Sequence, residues 1–107
     1  MDGSRIESLL KMTEARPDDP RAHFGLALEY ERAGRWADAV EHLRAYLALA
    51  DDEGNAYGRL ARALRELGRG EEARAAYALG IAAANHHHHP TMVMEFEEAI
   101  EEMDAEG

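Results

Sequence analysis

The feature that most constrains this 107-residue chain is that it repeats itself. When the chain is slid along its own length by roughly 34 residues, the period of a helix–turn–helix repeat, Ala22 falls on Ala56, Leu26 on Leu60 and Ala27 on Ala61. Gly34 then falls on Gly68, Arg35 on Arg69 and Ala39 on Ala73, while His23 meets Tyr57, Leu43 meets Tyr77 and Leu47 meets Ile81. The matches alternate between large apolar and very small residues, as a stack of helix pairs requires. Leu26, Tyr30, Val40, Leu43 and Leu47 can fill the space between helices. Ala27 and Ala39 let two backbones cross closely, where a longer side chain would force them apart. Gly34 and Gly68 stand where a helix must stop and the chain reverse, and glycine takes a positive φ there without strain.

These residues resemble the tetratricopeptide repeat family. The first copy carries the likeness in Leu26, Ala27, Tyr30, Gly34, Ala39, Leu43 and the Tyr46-Leu47 pair, and the second in Leu60, Ala61, Gly68, Ala73 and Tyr77. The second copy departs where Leu64 replaces the usual tyrosine, Gly80 the usual late alanine and Asn85 the closing proline. In the first, His23 stands where the family often has tryptophan, and Asp51 where it often has proline. Trp36 lies in the turn, where the family favours an aromatic.

The periodic segments predict helices over Pro20–Ala33 and Trp36–Ala50, then Asn55–Leu67 and Glu71–Ala84. Asp18 and Asp19 can cap the first of these, with Pro20 in its first turn. Glu71 and Glu72 suit the positive end of a helix dipole. Ahead of them, Ser4 to Ala15 reads as a helix with Ser4 as N-cap and Glu7 completing a capping box. Shifted by the repeat period, Ile6 falls on Val40 and Leu9 on Leu43, so this helix looks like the second half of a repeat. Either it is a natural cap or the sequence begins inside a repeat. At the other end, Asn85–His89 reads as a polar connection. Pro90 then opens a helix carrying Val93, Phe96, Ile100 and Met103 on one side and glutamates on the other. It reads as the capping helix that repeat stacks require. The expected organisation is a single all-α domain over residues 1–107. It comprises a half-repeat helix (4–15), repeat one (20–53), repeat two (54–87) and a capping helix (90–104).

Composition narrows the chemistry. The chain has no cysteine, which excludes disulfides and thiol catalysis. No apolar run is long enough to cross a membrane, and Met1–Leu10 lacks a signal-peptide core, so a cytoplasmic protein is expected. The net charge of −10 is unevenly placed. Residues 1–53 hold seven basic and twelve acidic side chains, residues 54–84 five and three, and residues 85–107 none and seven. Such a chain repels nucleic-acid phosphate and anionic membranes, so neither is an expected partner. Lys11 is its only lysine, which fits a high-salt cytoplasm or, equally, plain solubility and codon bias.

No constellation supports an enzyme or a cofactor. His86, His87, His88 and His89 are the most conspicuous polar run, and neutral imidazoles ligate zinc, nickel or copper. Adjacent histidines rarely present a preformed tetrahedron, so a polar loop with adventitious affinity stands beside a metal-binding role. His23 holds a core position, and His42 is expected to be half exposed. Gly34 and Gly68 are too isolated for a phosphate loop, and the run Glu95–Glu106 lacks the spacing and central glycine of a calcium loop.

The resemblance implies a different kind of site. In this family the first helix of each pair lines a concave surface, which by position would comprise Arg21, Phe24, Leu28, Glu31 and Arg32, then Asn55, Gly58, Arg59, Arg62, Arg65 and Glu66. Phe24 and Leu28 are large apolar groups that the repeat core does not need, and Arg59, Arg62 and Arg65 recur at helical spacing. Two possibilities stand: a basic, partly apolar trough open to a ligand, or a trough that the last helix, with Phe96 and its glutamates, lies in or beside. The expected function is a non-catalytic protein-interaction module, monomeric, binding a peptide or helix of a partner through Arg21, Phe24, Leu28, Asn55, Arg59, Arg62 and Arg65. The alternatives are a metal-binding protein using His86–His89, or a structural piece of a longer repeat array.

Overall fold

The structure is a computed structural model that describes residues 2–106, with side chains from Arg5 onward. Among the described residues all regular structure is helical. The elements are α1 (Asp2–Ala15), α2 (Pro20–Arg32), α3 (Trp36–Leu49), α4 (Asn55–Glu66), α5 (Gly70–His86) and α6 (Pro90–Glu106). The chain forms two compact units, one ending at Asp51 and the other starting at Asp52. In the first, α2 packs on both α1 and α3; in the second, α5 packs on both α4 and α6. The architecture is a helical repeat with two helix–turn–helix copies, a preceding half-repeat helix and a closing helix. No helix is long and apolar enough to cross a membrane.

Each hairpin is built on the small-and-large pattern. Ala27 and Ala39 in the first hairpin, and Ala61 and Ala73 in the second, have no exposed surface. Leu26 and Leu43 are fully buried beside the first pair, each contributing roughly 1.5–3 kcal/mol through burial. Leu64, standing where Tyr30 stands in the first copy, is 1% exposed. Leu9 of α1 joins Leu26, Tyr30 and Ala39 in one core, with Ile6 at its edge. Glu29 is buried beneath it at 4% exposure. Its carboxylate is held by Arg5 Nε at 2.7 Å and by Arg32 Nη1 at 3.4 Å.

The helix ends show how the chain turns. Gly34 (φ 71°) and Gly68 (φ 74°) take the left-handed conformation. Gly34 N–H donates to Glu31 O and Arg35 N–H to Tyr30 O; Gly68 N–H donates to Arg65 O and Arg69 N–H to Leu64 O. This paired arrangement closes the orphan carbonyls of α2 and α4. Asp19 caps α2 by accepting from Arg21 N–H at 3.0 Å, with Pro20 at the first helical position. Asp52 does the same for α4, accepting from Gly54 N–H at 2.8 Å and Ala56 N–H at 2.9 Å. The sequence pattern shows Asp51–Glu53 only as a break between repeats, and the cap gives Asp52 a specific task.

Three local expectations are corrected. α1 begins at Asp2, ahead of the expected cap at Ser4, whose side chain lies outside the described residues. α5 continues into the histidine run as far as His86, and the rest of the run forms a defined turn rather than a plain polar loop. His88 takes φ 62°, donating to Asn85 O at 3.2 Å, and His89 N–H donates to Ala84 O at 2.8 Å. His88 thus does the work of Gly34 and Gly68 without being glycine. His42, expected half exposed, is 9% exposed because its ring lies between two others on the inner side of α3.

Candidate functional site

α4 turns Ala56, Leu60, Ala61, Ala63 and Leu64 inward, which leaves Asn55, Gly58, Arg59, Arg62 and Arg65 on the remaining faces. Gly58 is the pivotal member of that set. A Cβ built there would lie 2.7 Å from Phe96 Cε1 of α6. A Cβ at Gly80 of α5 would lie 2.8 Å from Phe96 Cε2 and 3.0 Å from Tyr57 Cβ. The Phe96 ring therefore lies in a slot that exists because two facing helices lack side chains there. Tyr77 completes the slot, its ring centroid 5.6 Å from that of Phe96 at 47°. Ring pairs at this separation attract beyond their buried area. Close by, Met92 Sδ comes within 2.6 Å of where a Cβ on Gly54 would stand, so the start of α6 also rests on a glycine.

Ion pairs line the rest of the contact. Arg65 Nη2 donates to Glu102 Oε1 at 2.9 Å and to Glu106 Oε1 at 3.3 Å. The hydrogen bonds to Glu102 and then to Tyr77 raise the Arg65 pKa further above its already high ordinary value. Arg74 of α5 donates to Asp104 at 2.9 Å. His89 binds Glu53 at 2.5 Å, and that hydrogen bond holds the Glu53 carboxyl below its ordinary range. A cleft of about 280 Å³ lies beside the end of α6, lined by Arg65, Gly68, Gly70, Arg74, Met103 and Glu106. α6 itself is shallowly set. Met103 is its buried residue, and Met92, Val93, Phe96 and Ile100 are half-buried.

In the first unit, α2 carries the other expected site residues. Arg21 is exposed, and its guanidinium forks onto Asp19, Nε to Oδ1 at 3.0 Å and Nη2 to Oδ2 at 2.7 Å. These hydrogen bonds hold the Asp19 pKa down to about 2 and raise that of Arg21. Phe24 is half-buried and packs at a tilt of 50° against Tyr46 of α3, with centroids 4.9 Å apart. Leu28 is half-buried. The expectation of two apolar groups without a structural task thus needs correcting for Phe24, which braces α2 against α3. Behind it lies a histidine pair: His23 Nδ1 and His42 Nδ1 are 3.1 Å apart, one donating and one accepting. The His42 ring lies near-parallel to both His23 and Tyr30. Burial, first of all, lowers the His42 pKa.

On α4, Arg62 and Asn55 are exposed and Arg59 is half-buried. Arg65 is turned toward α6, with 24% of its side chain exposed. The last helix therefore lies against the Gly58 and Arg65 side of α4. His86–His89 are divided between the end of α5, its cap, a left-handed turn residue and a hydrogen bond with Glu53. Among the described residues no three histidine or carboxylate side chains gather as a metal ion would need.

The sequence set Phe96 of the last helix in or beside the trough as one of two possibilities but did not single out the two-glycine slot, although the signal was present. The repeat shift places Gly58 on Phe24 and Gly80 on Tyr46. The two positions that form a ring pair in one copy are both vacant in the other, and a phenylalanine arrives from a later helix. The His23–His42 bond left no such trace, since two core positions do not reveal that their side chains meet.

Two family models described as tetratricopeptide repeat match the chain, one over residues 30–90 and one over residues 4–53. No match was found among curated proteins.

Proposed function

The chain belongs to the tetratricopeptide repeat family, and from that premise we propose that it is a non-catalytic protein-interaction module binding a peptide or helix of a partner protein. Domains of this family are generally protein-interaction modules. The contact residues of the second unit are Asn55, Arg59, Arg62 and Arg65 on α4; Arg21, Phe24 and Leu28 on α2 are the candidate contacts of the first unit, taken by itself. The ligand is an acidic segment with an apolar anchor. One observation carries the reading: Arg65 already grips the carboxylates of a helix, Glu102 at 2.9 Å and Glu106 at 3.3 Å. Arg59 and Arg62 continue the same basic row along α4, in the least acidic stretch of the chain. Arginine suits this role because its planar fork meets a carboxylate with paired hydrogen bonds.

The test is a titration against a partner captured from native lysate, with the wild-type chain and with Arg59→Glu/Arg62→Glu. The expected result is affinity reduced by at least about tenfold, since charge reversal replaces attraction with repulsion, and wild-type binding that weakens as salt rises. Equal affinities of the two chains would end the assignment of the arginine row.

A further inference from the structure

The contact between α6 and the second hairpin is made of two kinds of interaction. One is apolar: the Phe96 ring in its slot, with Met92, Val93 and Ile100 half-buried and Met103 buried along the same helix. The other is a short series of exposed ion pairs, Arg65 with Glu102 and Glu106 and Arg74 with Asp104, while a hydrogen bond between His89 and Glu53 holds the link ahead of α6. The carboxylates in these pairs with Arg65 and Arg74 are all more than half exposed. Pairs of this kind contribute little and weaken with salt. α6 also carries seven acidic side chains and no basic one, so its charges repel one another along its length. Its link to α5 is three residues long and includes His88 in a left-handed conformation that non-glycine residues adopt with strain.

The slot, in contrast, is built into the rigid part of the unit. Gly58 and Gly80 sit inside α4 and α5, where glycine costs helix stability. Their first-copy counterparts, Phe24 and Tyr46, close the same place with their own rings. The second hairpin therefore forgoes side chains that the first uses for its own stability, and leaves a seat for a ring supplied from outside the pair.

We propose that this face of α4 and α5 is a receptor for an amphipathic helix of a partner protein, carrying an aromatic residue followed six residues later by a carboxylate, and that α6 is its resident competitor. The spacing is that of Phe96 and Glu102, which set the aromatic in the glycine slot and the carboxylate on Arg65. Charge complementarity selects the occupant, because Arg65 and Arg74 flank the seat. The inference rests on the interaction-module reading and adds its ligand and its regulation: a partner binds by displacing α6, and its apparent affinity falls by the fraction of time the seat is closed.

The experiment uses a fluorescently labelled synthetic peptide of residues 90–106 as probe, titrated by anisotropy into three versions of the 107-residue chain. These are the wild type, Phe96→Ala, which removes the resident anchor, and Phe96→Ala/Gly58→Leu, which also fills the seat. Circular dichroism confirms the fold of each. The expected result is binding at least about tenfold tighter to Phe96→Ala than to wild type, and loss of binding when Gly58 becomes leucine. A peptide carrying Phe96→Ala should bind none of them saturably. A fourth chain, Glu102→Gln/Glu106→Gln, keeps the aromatic anchor and so guards against a folding defect in Phe96→Ala. It should bind the peptide more tightly than wild type, by a factor that shrinks in high salt. Equal affinity for wild type and Phe96→Ala, or undiminished binding of the altered peptide, would overturn the inference. So would a dimer formed by exchange of α6 between copies with no peptide uptake, which would make the occupant a second copy. If exchange fails while Arg59→Glu/Arg62→Glu still weakens the captured partner, the competitor falls and the interaction module stands. If exchange succeeds while that variant has no effect, only the arginine row falls.

Discussion

The two hairpins share a frame and differ in how they finish it. Both fold around the same fully buried alanines and reverse at a left-handed glycine closed by the same pair of backbone hydrogen bonds. The first then fills its flank from within. Phe24 packs at a tilt against Tyr46, and His42 lies between the rings of His23 and Tyr30. The second has glycine in place of both Phe24 and Tyr46, alanine in place of His42 and leucine in place of Tyr30. Its flank is finished by Phe96 of α6. Frame positions thus set the hairpin, and flank positions set whether it is self-sufficient or takes a side chain from a further helix.

The strongest way to break this comparison is to exchange the flanks. Phe24→Gly/Tyr46→Gly removes two rings from the first hairpin and puts two glycines into helices. Nothing in that unit offers a replacement ring, so the expected loss is roughly 3–5 kcal/mol, enough to unfold a marginal unit. Trp36, the only tryptophan, sits at the start of α3 and reports on this unit by fluorescence. The reverse exchange, Gly58→Phe/Gly80→Tyr, should leave α4 and α5 helical and unseat α6. The amides of 90–106 would then exchange with solvent much faster. Retained protection there would show that α6 does not depend on the slot.

A second substitution probes what the hairpins share. Ala39→Leu and Ala73→Leu each push a side chain into a fully closed crossing, and each should destabilise its own unit by roughly 1–3 kcal/mol. Chemical denaturation followed by Trp36 for the first and by residue-level hydrogen exchange for the second checks both. An unchanged midpoint for either would show that its crossing has room to spare.

A third sharpens a chemical difference. Burial depresses the His42 pKa below its ordinary 6.5, against the opposing charges of Glu41 and Asp38 and with the help of His23. The folded state therefore prefers the neutral ring, and its contact with His23 needs one nitrogen without a proton. The stability this contributes is complete above 6.5 and is lost as the pH falls through the depressed value. Thermal unfolding reported by Trp36 should shift downward between about pH 7 and pH 5. His42→Gln should flatten that dependence, and α4–α5, with Tyr57 and Ala76 at the matching positions, should lack this contribution.

The sequence carried the frame because frame positions are defined by size alone. Ala27, Ala39, Gly34 and their second-copy partners recur since no other side chain meets the steric demand. The flank was partly legible: the exchange of Phe24 and Tyr46 for Gly58 and Gly80 is plain once the copies are laid together. What those vacancies receive was legible only as one of two possibilities, the last helix with Phe96 in or beside the trough, because Phe96 lies outside the repeat register and only the packing of α6 brings it there. The row Arg59, Arg62 and Arg65 was visible from spacing, yet the capture of Arg65 by Glu102 depends on a contact across 37 positions. The histidine run misled for a different reason. Its composition suggests ligands or a loop, whereas its position one repeat end later makes it a helix terminus.

That position supports the smallest and most specific prediction. His88 at φ 62° stands where the first and second turns have Gly34 and Gly68, and it makes the same pair of closing hydrogen bonds through its own N–H and that of His89. A side chain in this conformation crowds the backbone, and glycine relieves that strain while adding freedom to the unfolded chain. The two effects oppose each other, so His88→Gly should stabilise the second unit by only about 0.5–1 kcal/mol. His86→Ala, at the end of α5, should change stability by less than about 0.5 kcal/mol. A separate replacement, His89→Ala, breaks the Glu53 pair alone and should raise the depressed Glu53 pKa toward its ordinary value, which NMR titration of that carboxyl can follow. If His88→Gly destabilises the unit instead, the turn after α5 differs in kind from those after α2 and α4. The hinge that carries α6 would then owe its shape to the histidine side chain rather than to the backbone.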